Sequence, residues 1–146
     1  PLMVAAGADF VEGQDKYNRR WFEDNIESLQ EAALPAVIKC LELGIDINAK
    51  NRRNQTALHG AVYLAGEDLL SYLVNQGADI DAINNRGQTP WLIASKGEYR
   101  AGSVQTLPQI AEHLETLGAD KSIGNDLGRY WERDARERQE RAAQSR

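Results

Sequence analysis

The 146-residue sequence contains a single cysteine, Cys40, and only two histidines, His59 and His113, which excludes an internal disulfide framework and a cysteine-based zinc site. It has neither a glycine-rich phosphate loop nor a G-x-S-x-G nucleophile turn. No apolar run approaches the roughly 18 residues of a membrane span. The formal net charge of −5 argues against general nucleic-acid binding, which needs a basic surface. We therefore expect no catalytic activity, no cofactor, no metal site, no nucleic-acid partner and no membrane span.

What the sequence does contain is a block that recurs at a fixed offset. Residues 56–61 read TALHGA and residues 89–94 read TPWLIA, and residues 42–49 align with residues 75–82 at the same offset. A fixed period of this kind marks a solenoid, and a 33-residue unit built around T-P-L-H-x-A is typical of the ankyrin repeat. The chain therefore resembles the ankyrin-repeat family over nearly all of its length outside the inserts and the tail.

The resemblance implies an all-α fold: a solenoid of helix-turn-helix units with short hairpin-like tips, about three repeats and a degenerate C-terminal cap. The predicted repeat domain spans residues 1–128, with a repeat carrying a long insert over 1–49, a repeat over 50–82 and a repeat carrying a short insert over 83–123. Residues 124–146 are predicted to form the degenerate cap and a polar helical tail. Because the sequence begins within a repeat motif, we also expect it to be a fragment of a longer chain.

Helix boundaries follow from the apolar periodicity and from Gly44, Gly77 and Gly118, which suit the positive φ that ends a helix. The predicted helices cover residues 1–6, 34–43, 56–64, 68–75, 89–96 and 108–116. The insert of residues 8–33 is expected to be ordered, and its part over 25–33 has a composition that could extend the second helix. Eight further residues are inserted at the turn between the last two helices.

Some polar residues are predicted to be structural rather than chemical. Thr56 and His59 match the threonine and histidine that hydrogen-bond around the turn in ankyrin motifs, and neither histidine has a companion at metal-ligand spacing. Asp46, Asp79 and Asp120 recur just after a glycine, where an aspartate side chain accepts bonds from nearby backbone N–H groups. Trp91 occupies the leucine position of the motif and is expected to pack in the core.

The resemblance also places tips and first helices on one concave face. That face is predicted to bind a protein partner offering carboxylates around an apolar spot, because arginine pairs bidentately with carboxylates and tyrosine and arginine are favoured at interfaces. The residues concerned are Arg52, Arg53, Gln55, Tyr63, Leu64, Asn85, Arg86, Gln88 and Lys96. Within the inserts, Tyr17, Trp21, Phe22 and Tyr99 are candidate contacts. For the first three, burial against the repeat and partner binding are equally compatible with the sequence.

Two functions are compatible with these features. One is a non-enzymatic interaction module or scaffold that binds a protein through the concave face and the inserts. The other is an obligate structural or regulatory subunit, docked in a larger assembly by the insert of residues 8–33. The amino-acid sequences of the motifs also resemble those of ankyrin proteins from environmental bacteria, many of which are exported. We therefore expect a bacterial protein that is located in a soluble compartment. The periplasm is favoured, and the cytoplasm is the alternative.

Overall fold

The computed structural model describes residues 2–6, 16–100 and 103–124. Within these residues, helices and one short hairpin follow each other along the chain. In order they are α1 (Leu2–Ala5), α2 (Lys16–Glu42), α3 (Ala57–Leu64), α4 (Glu67–Asn75), α5 (Pro90–Lys96), β1 (Glu98–Arg100), β2 (Ser103–Gln105) and α6 (Pro108–Thr116). The predicted ranges for α3, α4 and α5 have close counterparts, and the range 108–116 is reproduced without change.

The helices pack in pairs, α1 with α2, α3 with α4, and α5 with α6. The first helices α1, α3 and α5 lie side by side in that order, and α2, α4 and α6 form a second row. The core between the rows is aliphatic, and its fully buried members include Val37, Leu58, Leu70, Leu73 and Leu114. Each pair cannot bury its apolar faces alone, so stacking produces one continuous core. The predicted helical solenoid is thus confirmed.

A buried threonine precedes each of the helices α3 and α5. The Oγ1 of Thr89 accepts a hydrogen bond from the Leu92 N–H (3.2 Å), which satisfies one of the unpaired donors at the start of α5. Pro90 follows at the first helical position, where its missing N–H costs nothing. Thr56 holds the same place before α3. The predictions began both helices one residue early, at the threonine, because the cap and the first helical residue share one sequence motif.

Gly44, Gly77 and Gly118 follow the helices α2, α4 and α6, with φ angles of 80°, 92° and 99°. After α4, the Ala78 N–H donates to the Leu73 carbonyl oxygen (3.0 Å), so the chain reverses within a few residues. This is the predicted use of glycine, because positive φ is strained for residues with a Cβ. Asn54 takes the same conformation at a tip (φ 56°), as asparagine tolerates it better than most residues.

The second helix is much longer than predicted. The sequence indicated a helix from residue 34 to residue 43 with a possible extension over 25–33, whereas α2 begins at Lys16 and continues through Pro35. Residues 16–34 contain no glycine or proline to stop a helix, and most are good helix formers. Part of the expected insert is therefore helix, while its residues 8–15 lie outside the described residues.

The short insert forms a hairpin that the all-α prediction did not contain. Strands β1 and β2 are antiparallel, and Tyr99 pairs with Val104 in their register. Immediately after them, the Leu107 N–H donates to the Ala94 carbonyl oxygen (2.8 Å) and returns the chain to the end of α5. The predicted segment boundaries at residues 49, 82 and 123 stay predictions. The predicted terminal cap covers residues 124–146, of which residues 125–146 lie outside the described residues.

Candidate functional site

Each of the two tips is organised by one asparagine. The side-chain Oδ1 of Asn51 accepts from the backbone N–H groups of Arg53 (2.8 Å) and Gln55 (3.0 Å). In the next repeat, Asn84 Oδ1 accepts from the N–H groups of Arg86 (2.8 Å) and Gln88 (3.0 Å). Because the same geometry recurs one repeat later, the tips, residues 50–55 and 83–88, are preformed by their own side chains.

A second set of hydrogen bonds attaches one tip to the next. The Asn85 N–H donates to the Arg53 carbonyl oxygen (2.9 Å), and the Asn85 side-chain amide donates to the Arg52 carbonyl oxygen (3.0 Å). Both acceptors are backbone carbonyl oxygens. The two tips therefore hold a fixed relation to each other, and Asn85 has a structural role as well as an exposed position.

His59 also joins the two repeats. Its Nδ1 lies 3.1 Å from the Thr56 backbone nitrogen and 3.1 Å from Thr56 Oγ1, while its Nε2 lies 3.2 Å from the Gln88 carbonyl oxygen. A backbone N–H can only donate, so Nδ1 is the acceptor and the neutral ring donates from Nε2. The ring is fully buried. The predicted structural role of His59 and Thr56 is confirmed.

The loops after α2, α4 and α6 share a third pattern of hydrogen bonds, made by an aspartate side chain. The Oδ1 of Asp46 accepts from the Asn48 N–H (2.9 Å), and the Oδ1 of Asp79 accepts from the Asp81 N–H (3.1 Å). Asp120 does the same with Ser122, at 2.8 Å from its N–H and 2.6 Å from its hydroxyl. These bonds confirm that the recurring aspartates form turns.

The same loops are bonded to one another. The Asn48 Oδ1 accepts from the Asp79 N–H (2.8 Å), and the Asp81 Oδ1 accepts from the Asp120 N–H (2.9 Å). Asn48 and Asp81 are one repeat period apart, so one repeat position carries the link in both cases. Stacking is therefore held by polar bridges at the loops and by apolar contacts between the helices.

Exposure separates the predicted concave face into two groups. Arg52, Arg53, Asn85 and Lys96 are exposed and Arg86 is half-exposed. The tips contain four basic residues, with Lys50 as the fourth, and no acidic residue, although the chain as a whole is acidic. Ile83, at the start of the second tip, is 42% exposed and is the large apolar side chain exposed within the described tips. For these residues, binding stays a prediction.

Four members of the predicted face are buried and are not part of the exposed surface. They are Gln55, Tyr63, Leu64 and Gln88, each at most 8% exposed. The Gln55 side-chain amide donates to the Tyr63 hydroxyl oxygen (3.0 Å), and its Oε1 accepts from the Asn51 amide (3.1 Å). These contacts brace the tip from inside. The prediction took polar and aromatic residues near a tip as surface, whereas here they satisfy one another beneath it.

The four insert candidates lie in α2 and in the hairpin. The backbone of Tyr17, Trp21 and Phe22 lies in the first turns of α2 and that of Tyr99 lies in β1, but their side chains lie outside the described part of the structure. Their proposed contacts stay predictions. Residues that sequence reasoning missed are Asn51 and Asn84, which shape the tips, and the exposed Ile83. The identical spacing of the two asparagines was the available signal.

Trp91 packs partly against the core and also makes a polar contact. Its indole N–H donates to Glu115 Oε1 (3.0 Å), and Lys121 Nζ lies 3.3 Å from Glu115 Oε2. The tryptophan bond first, and then the lysine, lower the pKa of the Glu115 carboxyl. The hydroxyl and N–H of Ser122 likewise lower the pKa of Asp120. The expected packing of Trp91 is therefore partial, with its polar edge turned to α6.

Within residues 2–6, 16–100 and 103–124, the structure contains no cluster of three or more histidine, cysteine, aspartate or glutamate side chains that could hold a metal ion. Over the same residues, none of the helices has the length and apolar character required to cross a bilayer.

The arrangement defines a class of protein: a helical-repeat solenoid whose preformed tips project from stacked pairs of helices. The family profile described as "Ankyrin repeats (3 copies)" matches residues 29–122, which is more than half of the chain. The chain belongs to the ankyrin-repeat family. Ankyrin repeats are modules of protein–protein interaction.

Several curated proteins are similar to parts of the chain. Ankyrin repeat domain-containing protein 40 of Mus musculus is 32% identical over 101 residues, covering 61% of this chain and 28% of that protein. Protein phosphatase 1 regulatory subunit 27 of Mus musculus is 39% identical over 72 residues, covering 49% of this chain and 42% of that protein. An ankyrin repeat-containing protein of Schizosaccharomyces pombe is 39% identical over 62 residues, covering 42% of this chain and 30% of that protein.

The chain thus spans less than half the length of these relatives. They are eukaryotic, so they do not support the expectation of a bacterial type.

Proposed function

We propose that this chain is a non-enzymatic interaction domain whose two tips bind an acidic segment of a partner protein. The carrying observation is that Asn85 bonds to the carbonyls of Arg52 and Arg53, because this fixes the backbone that bears the exposed basic side chains. A surface that is ordered before binding loses less entropy on association. The partner is a protein rather than a nucleic acid, since the net charge of the chain is −5.

The exposed Ile83 supplies the apolar element of this surface. It begins the second tip, beside residues that carry only positive or neutral side chains. An acidic segment with one apolar residue would pair its carboxylates with the arginines and cover the isoleucine. The Tyr63 and Leu64 side chains, being buried, take no part in this contact.

Charge reversal tests the proposal. The variant Arg52→Glu/Arg53→Glu changes two exposed side chains, and its matched control, Lys39→Glu/Lys121→Glu, makes the same change of net charge away from the tips. Full-length protein and both variants are used for affinity purification from the native organism, with quantitative mass spectrometry. We expect recovery of the partner to fall by about tenfold or more in the tip variant, equivalent to at least about 1.4 kcal/mol, and to persist in the control.

Equal recovery with the tip variant and the control would overturn the tip assignment and leave the inserts as the binding element. A fall that is equal in both variants would show a nonspecific charge effect and would also overturn it. The free energy of unfolding of both variants is expected to lie within about 1 kcal/mol of that of the unmodified domain, because exposed charges contribute little to stability.

The second candidate function is that of an obligate regulatory subunit, docked through the insert of residues 8–33. It is favoured by the relative named as a protein phosphatase 1 regulatory subunit. A subunit of this kind is insoluble or partly unfolded when expressed alone, whereas an independent module is folded and monomeric. Light scattering combined with circular dichroism on the isolated domain separates the two.

A further inference from the structure

A second surface lies at the end of α3 away from the tip, where α2 passes the turn between α3 and α4. An open groove of about 580 Å³ lies between them. One wall is formed by Gln30, Glu31, Leu34 and Pro35 of α2, and the other by residues 64–69. One repeat period earlier in the sequence, Leu34 corresponds to Glu67, the first residue of α4. Gln30 and Glu31 therefore belong to the extension of α2 that α4 lacks, and the extension builds this groove.

The groove has an apolar floor and fixed walls. Leu64 is 2% exposed and Leu69 is 3% exposed, and the half-buried Leu34 continues the apolar lining on α2. The Gln30 side-chain amide donates to the Leu64 carbonyl oxygen and so attaches α2 to the last residue of α3. The spacing of the walls is therefore set by a direct hydrogen bond across the floor.

The rim of the groove is negatively charged. Glu31, Glu67 and Asp68 are exposed, and none of the described residues that line the groove is basic. The start of α4 contributes the equivalent of about +0.5 charge, far less than the three carboxylates. The sum of these charges is therefore more negative than about −2. This disfavours an anion at the start of α4 and favours a cation.

A backbone acceptor on the same wall adds to this preference. Pro35 lies inside α2, one turn after Glu31, and has no N–H to donate to the Glu31 carbonyl. Both residues line the groove, so this turn of α2 borders it. A guanidinium or ammonium group is a donor that fits both this oxygen and the carboxylates.

We infer that this groove is a docking site for a protein segment in which an arginine or lysine stands next to an apolar side chain. The apolar side chain packs against the half-buried Leu34, above the buried Leu64 and Leu69, and the cationic group contacts the rim formed by Glu31, Glu67 and Asp68. The site is of opposite charge to the basic tips and is built from different elements. It does not depend on the function proposed for the tips.

The test is an amide NMR titration of the whole chain with N-acetyl-leucyl-arginine amide, and in parallel with N-acetyl-leucyl-glutamate. We expect saturable shifts in the millimolar range confined to residues 30–35 and 64–69 with the arginine probe, and none with the glutamate probe. In Glu31→Gln/Glu67→Gln, the affinity for the arginine probe should fall at least fivefold. The matched control is Glu27→Gln/Glu112→Gln, which neutralises two other exposed glutamates and should bind as the unmodified chain does.

Three results would overturn the inference: shifts of equal size with both probes, no saturable shift with the arginine probe, or equal loss of affinity in the control and the groove variant. Light scattering over the titration range gives a further outcome. If the groove shifts depend on protein concentration without any probe, the occupant is a second copy of this chain, and the proposed partner class is wrong.

Discussion

The Nε2 of His59 lies 3.2 Å from the carbonyl oxygen of Gln88, so one buried imidazole joins the start of α3 to the tip of the following repeat. In the third repeat, the position of His59 is taken by Leu92, which has no ring nitrogen to repeat the contact. The imidazole contact between α3 and the following tip is therefore one that the leucine at the equivalent position cannot make.

Replacing His59 is expected to destabilise the domain strongly. In His59→Ala, the Thr56 N–H and the Gln88 carbonyl both lose a buried partner, at roughly 1–3 kcal/mol each, so the free energy of unfolding should fall by about 2–6 kcal/mol. Urea denaturation measures the change. His113→Ala is the control, because that ring is only half-buried, and it should cost about 1 kcal/mol or less. Equal losses in the two variants would contradict the bridging role of His59.

The carboxyl of Glu115 should titrate below its ordinary value of 4.5 because it accepts from Trp91 and pairs with Lys121. Its pKa is measured by NMR titration of the side-chain carbon. The Trp91 bond is the largest single cause, and Lys121 contributes both a hydrogen bond and its charge, so Trp91→Phe and Lys121→Met should each raise the pKa. An unchanged pKa in either variant would contradict the contact that the variant removes.

The direction of the pH effect on stability follows from the same shift. Folding lowers the pKa of Glu115, so the stability linked to this group is present above its unfolded value and is lost as pH falls through the folded value. The melting temperature of Glu115→Gln should therefore fall less than that of the unmodified chain on acidification below pH 4.5. The effect is small, because the carboxyl is exposed and solvent screens it.

Two glycines with similar backbone angles should respond differently to alanine. Gly118 (φ 99°) has open space where a Cβ would stand, so Gly118→Ala carries only the backbone strain of about 1 kcal/mol. At Gly124 (φ 93°), a Cβ would lie 2.9 Å from the Gly87 carbonyl oxygen and would also meet the Leu92 side chain. Gly124→Ala should therefore lower the melting temperature well beyond the effect at Gly118. Equal losses measured by calorimetry would contradict the close approach.

The repeat plan was predictable because it depends on period and glycine placement, both of which are visible in the residues themselves. The burial of Gln55 and Gln88 was not predicted, because a glutamine near a turn is usually exposed. Yet they recur one repeat period apart, and the reasoning that identified Asp46 and Asp79 as turn residues applies to them equally. The recurrence of a polar residue at one repeat position therefore indicates its burial better than its residue type does.

The length of α2 could not be derived from periodicity. The extension is held by tertiary contacts, such as the bond from Gln30 to the Leu64 carbonyl, and a helix continues through Pro35 only where the surrounding structure offsets the missing hydrogen bond. The groove was hidden for the same reason. Its walls are brought together by elements that are distant from each other in the sequence, and no local sequence motif encodes their separation in space.

The hairpin between α5 and α6 has a consequence for how this chain accommodates changes in length. Strands β1 and β2 return the backbone to the place where it left the stack, and the bond from the Leu107 N–H to the Ala94 carbonyl closes the junction. Extra residues at the tip of the hairpin add only a slowly growing loop-closure entropy. The turn between paired helices is thus a position at which foreign sequence, such as a reporter peptide, can be introduced while the packing of α5 against α6 is retained.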